Sequence, residues 1–444
     1  MNLIAPIADL LHGPTRLHSS SSGSGSGFLR ASKVHMLLVP LVLVALAVVP
    51  LSVFGGDDDS EMLSEATFNR LERIYDALDE EDWDEARDRI ENLLERVRND
   101  FEKAVVLQVS GNVYLEQGEY DQGRDELIRA HELGKLPSEQ TARLLDNVFT
   151  VHAMQEDFEG AIEWGEKYIE FARDVEDYSI DTNRFTLMAQ AHMELERFRD
   201  GLPWIKEAID RADEPEERDY RIWLALHFEL EEYREAAEVL ERMVGHWPDN
   251  MQYWSNLYSI YFELDDEESA LDTLAVAHRK GLFENEDHYL HLYRLYLFQD
   301  VPYEAGRILQ EGLDNGTVER TVENMQRLSR AWLSAREWDE ARNALEQQGE
   351  LEGSGEPFFT IAQIEQQRGN WEQAAEAAER SYELGDFDRP YRALMVLGLS
   401  HFNMGNHDES LAVFERAREY EEAEERASEW IEIVDEERRI LAGN

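Results

Sequence analysis

His288 and His291 stand one helical turn apart, a spacing at which two imidazoles can share a transition-metal ion. No third ligand accompanies them, so they read as surface histidines. The chain has no cysteine, which excludes disulfides, thiolate nucleophiles and cysteine zinc sites. It also lacks a phosphate-binding glycine loop, a zinc-protease pair and a nucleophile elbow. Carboxylate pairs abound, but 96 acidic residues in 444 produce them by chance. Neither catalysis nor a bound metal or cofactor is expected. The side chains best placed for chemistry are donors. Arg221, Arg294 and Arg330 can each fork onto a carboxylate.

The elements that must position these residues are helices. Spaced apolar residues dominate and alternating strand patterns are essentially missing. One helix-pair pattern, about 34 residues long, recurs ten times. Its starts fall at Thr67, Ala104, Ala142, Thr182, Glu217, Met251, Glu286, Val322, Gly355 and Tyr391. In GNVYLEQGEYDQGRDEL, Gly111 lets two helices approach, Gly118 ends the first helix in the left-handed conformation, and Gly123 meets the first helix from the second. The position of Gly123 holds a small residue in every repeat: Ala86, Gly123, Ala161, Gly201, Ala236, Ala270, Ala305, Ala341, Ala374 and Ser410. Gly398 repeats the role of Gly111. Three residues before the small one lies an aromatic in seven repeats, among them Trp83, Tyr120 and Trp338. Four residues after it lies a large apolar in eight, Gly165 and Ala378 being the exceptions. His152, His192, His227 and His401 share the helix A position of Tyr114, Tyr261 and Tyr296, as rings that pack flat with a polar tip.

These residues closely resemble the tetratricopeptide repeat family from about residue 67 to 420. The resemblance implies an all-α, right-handed superhelical solenoid of about ten hairpins. Residues 421–444 read as a capping helix, with Ala423, Ala427, Trp430, Ile431 and Val434 on one face. Arg70 and Arg73 stand where apolar residues are expected, which suits an end repeat. A narrower resemblance covers residues 217–437, in DYRIWLALHFELEEYREAAEVLERMV, YWSNLYSIYFELDDEESAL, VPYEAGRILQEGL and ASEWIEIVDEER. These stretches are similar to periplasmic tetratricopeptide proteins associated with TonB–ExbB–ExbD systems of gammaproteobacteria. That likeness implies an accessory role in energised outer-membrane uptake, such as that of iron siderophores. Assembly of envelope polysaccharide or lipopolysaccharide is the alternative role.

Such a solenoid binds protein partners, as an extended peptide or a helix, on a concave face lined by helix A. The expected groove residues include Asn112, Thr150, Gln190, Arg221, Ser255, Ser259, Arg294, Gln326, Arg330 and Gln363. Across repeats two to ten, helix A positions 2, 5 and 9 carry six Arg against four acids, although acids outnumber bases more than twofold in the chain. Glu116, Glu194, Glu229 and Glu263 at position 13 reverse that balance at the groove's edge.

The formal net charge is −53, with only six Lys. General nucleic-acid binding is excluded by repulsion from a phosphate backbone. The acidity reads either as a soluble, self-repelling surface or as adaptation to high salt, which screens the repulsion. Residues 1–35 form a basic tail containing SSSSGSGSG, a flexible composition. Residues 36–54, MLLVPLVLVALAVVPLSVF, are long enough to span a bilayer core. They read as an uncleaved inner-membrane anchor or as a signal peptide cut near Ala47 or Gly55. Arg30 and Lys33 precede them and the acidic linker 55–66 follows, so the repeats are expected in the periplasm.

Overall fold

The computed structural model describes residues 62–442. The expected tail, the apolar segment and the first part of the linker lie outside the described residues. Among the described residues there are twenty-one α-helices and no strand, and no helix is long and apolar enough to cross a membrane.

The chain divides into two compact units at Pro248. The first unit holds five hairpins, helix A written first in each: α1 (Glu65–Asp79) with α2 (Trp83–Arg96), α3 (Asp100–Glu116) with α4 (Tyr120–Glu132), α5 (Ser138–Met154) with α6 (Phe158–Arg173), α7 (Thr182–Glu194) with α8 (Phe198–Arg211), and α9 (Glu217–Glu229) with α10 (Tyr233–His246). The second holds five more: α11 (Met251–Glu263) with α12 (Glu267–Arg279), α13 (Glu286–Phe298) with α14 (Pro302–Asp314), α15 (Val322–Ala335) with α16 (Trp338–Glu352), α17 (Glu356–Arg368) with α18 (Trp371–Leu384), and α19 (Tyr391–Asn403) with α20 (His407–Arg418). The closing helix α21 (Glu424–Ala442) packs on α20. Within each unit every helix packs chiefly on its neighbours in the chain.

Three helices begin earlier than the repeat spacing predicts. α1 starts at Glu65 rather than Thr67, α3 at Asp100 rather than Ala104, and α5 at Ser138 rather than Ala142. Side-chain caps hold the early starts of α1 and α3. The Ser64 hydroxyl accepts from the Thr67 N–H at 3.2 Å, and Asn99 Oδ1 accepts from the Phe101 N–H at 2.8 Å. In the ninth hairpin Gly355 is the cap and Glu356 the first helical residue. In the first hairpin Arg73 points to solvent, while Leu71, Ile74, Ala77 and Leu78 form the buried face of α1.

The small residues mark the points where helix B crosses helix A. Ala86, Ala161, Ala236, Ala270, Ala305, Ala341, Ala374 and Ser410 are fully buried, and Gly123 and Gly201 are buried as well. Between α3 and α4 the two backbones come close together. A Cβ on Gly123 would lie 2.9 Å from the Gly111 carbonyl oxygen, and one on Gly111 would lie 2.7 Å from Leu127 Cγ. In the last hairpin the Ser410 hydroxyl donates to the Gly398 carbonyl at 2.9 Å, joining the two helices directly. Leu127, Ile205, Leu240, Leu274 and Leu309 are all shielded behind these crossings. Burial of such a side chain stabilises by about 1.5–3 kcal/mol.

Helix A ends the same way in all ten hairpins. Its last turn is followed by one residue at positive φ, and the next N–H reaches back to a carbonyl five residues earlier, as Asp82 does to Ala77 at 2.8 Å and Glu232 to His227 at 2.9 Å. This is a Schellman ending. Gly118, Gly369 and Gly405 take the left-handed position in three hairpins. Glu81, Glu156, Glu196, Glu231, Asp265, Asp300 and Arg336 take it in the other seven.

Candidate functional site

Helix A of each hairpin carries the residues expected to meet a partner, and the structure sorts them by depth. Asn112, Thr150, Gln190 and Ser259 are buried. Adjacent A helices approach closely enough that these polar groups face protein instead of solvent. Asn112 Oδ1 accepts from Asn147 Nδ2 of the next A helix at 3.4 Å, and the Ser259 hydroxyl donates to the Ser255 carbonyl at 2.8 Å. An open groove along every repeat therefore narrows to fewer positions. Arg221, Ser255, Gln326 and Gln363 are half-buried, whereas Arg294 and Arg330 are exposed.

In the first unit the acid and base of the A-helix face neutralise each other. Arg184 Nη2 donates to Asp146 Oδ2 at 3.0 Å, and Arg218 Nε donates to Asp219 Oδ1 at 3.3 Å. The buried Thr186 hydroxyl also donates to Asp219 Oδ1, at 3.0 Å. Burial raises the Asp146 carboxyl above its ordinary range, with the Arg184 guanidinium only opposing that shift. Arg143 pairs with Glu139 on its own helix at 2.6 Å.

The second unit differs. Among the described residues Arg294 and Arg330 form neither an ion pair nor a side-chain hydrogen bond, while Arg307, Arg320, Arg327, Arg342, Arg368 and Arg380 in the same unit are all paired with carboxylates. Both guanidiniums act on Tyr293. Burial raises that phenol, and Arg327, Arg330 and Arg294 oppose the shift. One turn beyond Arg294 on α13 lie Leu297 and Phe298, 37% and 66% exposed, and Phe262 is exposed at the matching end of α11. Positions three and four apart share a helix face, so Arg294, Leu297 and Phe298 present a cation and apolar surface together. Sequence reasoning missed this apolar strip. Its signal is Phe298 at position 13, where Glu116, Glu194 and Glu229 stand in other repeats.

His288 and His291 have separate occupations. The Tyr258 hydroxyl and His291 Nδ1 lie 2.9 Å apart, and Asn285 caps α13 by accepting from the His288 N–H at 3.2 Å. Burial lowers the pKa of both rings. Of the other histidines named from the sequence, His152 and His227 serve the hairpin turn. His152 Nδ1 lies 2.8 Å from Asp157 Oδ2, and His227 Nδ1 lies 2.8 Å from Glu232 Oε2. The ninth hairpin makes the same link with other chemistry, as Asn370 Nδ2 donates to the buried Glu365 at 2.6 Å. Asp157 is held below the ordinary carboxylate range, first by the Gly160 N–H and then by His152.

At the C-terminal end, α17, α19 and α21 surround a cavity of about 750 Å³. Gln363, expected in the groove from the sequence, lines it together with Phe359, Arg392, Met395 and Leu399, which occupy helix A positions 2, 5 and 9 of the last two repeats.

Tandem hairpins that touch only their neighbours define a repeat-scaffold protein, whose A helices offer a row of side chains to a partner. The Tetratricopeptide repeat family matches residues 226–281 and 359–424, so the chain carries tetratricopeptide repeats in those two stretches. Such proteins are generally scaffolds for protein binding and not catalysts. No curated protein matches the chain. Similar solved structures include a tetratricopeptide repeat protein from Parabacteroides merdae, 12% identical, covering 60% of this chain and 99% of that one with a TM-score of 0.33. Another is YrrB, a TPR protein with an unusual peptide-binding site, 16% identical over 46% of this chain and 97% of its own, TM-score 0.33. A third is the APC/C hetero-tetramer Cut9–Hcn1, 12% identical over 83% of each chain, TM-score 0.24.

Proposed function

We propose that this chain is a non-catalytic adaptor that holds a peptide or helix of a protein partner on the A-helix face of its second unit. The observation that carries this reading is the pair Arg294 and Arg330, exposed and without a carboxylate among the described residues of a chain with 96 acids. Beside them the exposed Leu297 and Phe298 offer apolar area, and a contiguous exposed apolar patch of this kind favours a binding role. A partner with carboxylates next to aliphatic or aromatic side chains would satisfy both features at once.

The finer reading is an accessory of a TonB-type energy-transduction system in the periplasm, serving outer-membrane uptake. The likeness of residues 217–437 to proteins of that kind supports it. The test places a photo-crosslinking amino acid at position 297 in the producing cell and identifies the trapped protein. A TonB-, ExbB- or ExbD-type component is expected, and Arg294→Glu with Arg330→Glu should abolish its capture. Trapping of a glycosyltransferase or polysaccharide-export component would replace this reading with envelope assembly. Capture that survives both charge reversals would remove the site.

A further inference from the structure

The cavity between the last two hairpins and α21 holds three arginines that come from three different elements. Arg389 lies in the loop before α19, Arg392 in α19 and Arg426 in α21. Among the described residues none of the three guanidiniums makes a hydrogen bond or an ion pair, although Glu422 and Glu425 line the same cavity. In a chain so rich in carboxylates, three unsatisfied guanidiniums around one space form a local positive centre. Arg392 is also oriented, with its guanidinium 4.7 Å from the centre of the Phe359 ring. Arg389 sits at φ 87°, a conformation that glycine adopts easily and arginine resists. The backbone there would be more relaxed with glycine, so Arg389→Gly removes the guanidinium without straining the fold.

The floor of the cavity is of another kind. Met395, Leu399 and Trp430 present apolar surface beneath the charged rim. Gln363 at the wall supplies a side-chain amide, which can donate to and accept from a peptide backbone. We propose that this cavity binds an acidic segment of a protein partner, two carboxylates flanking one aliphatic or aromatic side chain. The carboxylates pair with Arg392 and Arg426, with Arg389 closing over them, and the apolar side chain fills the floor. An acidic polysaccharide would satisfy the rim and leave the floor uncovered, so the peptide is the better fit. This inference rests on the adaptor reading and adds a second contact point of defined chemistry, separate from Arg294 and Arg330.

The test is fluorescence anisotropy of the purified full chain with a fluorescein-labelled octapeptide of alternating glutamate and leucine. Octapeptides alternating glutamate with serine, and serine with leucine, should bind at least about tenfold more weakly, since each lacks half of the recognition. Arg392→Glu with Arg426→Glu should weaken the glutamate–leucine peptide at least about tenfold. Arg389→Gly should weaken it severalfold while leaving the melting temperature equal or higher, which separates lost contact from lost folding. Arg234→Glu with Arg279→Glu, exposed arginines on α10 and α12 outside the cavity and outside the A-helix face, should leave the peptide affinity within about twofold. Equal binding of the three peptides would overturn the proposal. So would equal loss in both double variants, or displacement by an alginate oligomer at a lower concentration than the unlabelled peptide requires. Those results would leave crosslinking at position 297 standing as its own test of the adaptor reading.

Discussion

Glu231 closes α9 at φ 56°, where a Cβ crowds the following carbonyl. Its side chain makes no hydrogen bond or ion pair among the described residues. The hairpin therefore forces a conformation that the residue itself resists, and the Schellman bond from Glu232 to His227 compensates. Glu231→Gly should relieve the strain and lose only part of that gain to the freer unfolded chain. The expected net stabilisation is about 0.5–1 kcal/mol, seen as a higher melting temperature. A lower melting temperature would mean that Glu231 has a role the geometry does not reveal. Gly118 announces its left-handed turn in the sequence. The acidic residues at the same place in other hairpins do not, because glutamate is an ordinary helix former. There the register of the hairpin, and not residue preference, decides the backbone. The links from His152 to Asp157 and from Glu365 to Asn370 were hidden for a related reason. One spatial contact between helix A and the start of helix B is made by different residue pairs, so no repeated letter marks it.

At the scale of the hairpin, the crossing point is where sequence and packing meet most directly. Ala341 is fully buried where α16 passes over α15, and ten hairpins keep a small residue at that place. Ala341→Leu would push a branched side chain between two helices already in contact. It should cost about 1–3 kcal/mol by overpacking, read as an earlier midpoint in urea with the slope unchanged. An unchanged midpoint would show that the neighbouring helices separate freely. The spacing of the small, aromatic and large apolar residues was enough to place twenty helices in pairs, because each repeat solves the same packing problem with nearly the same residues. Caps such as Asn99 and Ser64 lie outside the repeating pattern, so the true starts of α3 and α1 were not legible. Nor was the depth of the A-helix face. Asn112 and Arg294 occupy equivalent positions by count, yet one is covered by the next A helix and the other stands in solvent. That difference depends on what the neighbouring repeat places opposite, which a position number does not contain.

For the whole molecule, the net charge of −53 is the largest feature that no local contact explains. Among the described residues most ion pairs have at least one exposed partner and join an arginine, or a lysine, to a glutamate or aspartate nearby, as Arg89 to Glu85 or Lys167 to Glu163. Exposed pairs of this kind each contribute at most about 1 kcal/mol. More than half of the carboxylates have no base available to them, since 43 basic residues face 96 acidic ones. Added salt weakens the pairs and the repulsion together, so the balance between them decides the sign. The excess of acid makes repulsion the larger of the two. The screening length falls from about 30 Å at 0.01 M to about 3 Å at 1 M, which removes repulsion between repeats before it removes contacts at ion-pair distance. The melting temperature should therefore rise as sodium chloride increases from 0.01 M to 1 M. Each kcal/mol of relief is worth about 2–4 °C for a unit of roughly 200 residues, so a relief of a few kcal/mol gives a rise of about 5–10 °C. Replacing five unpaired surface glutamates with glutamine should shrink that rise, because it lowers the repulsion without touching the core. A melting temperature that stays level or falls over this range would mean that paired charges, not the surplus, govern the stability of the fold, and the case for adaptation to high salt would fail with it.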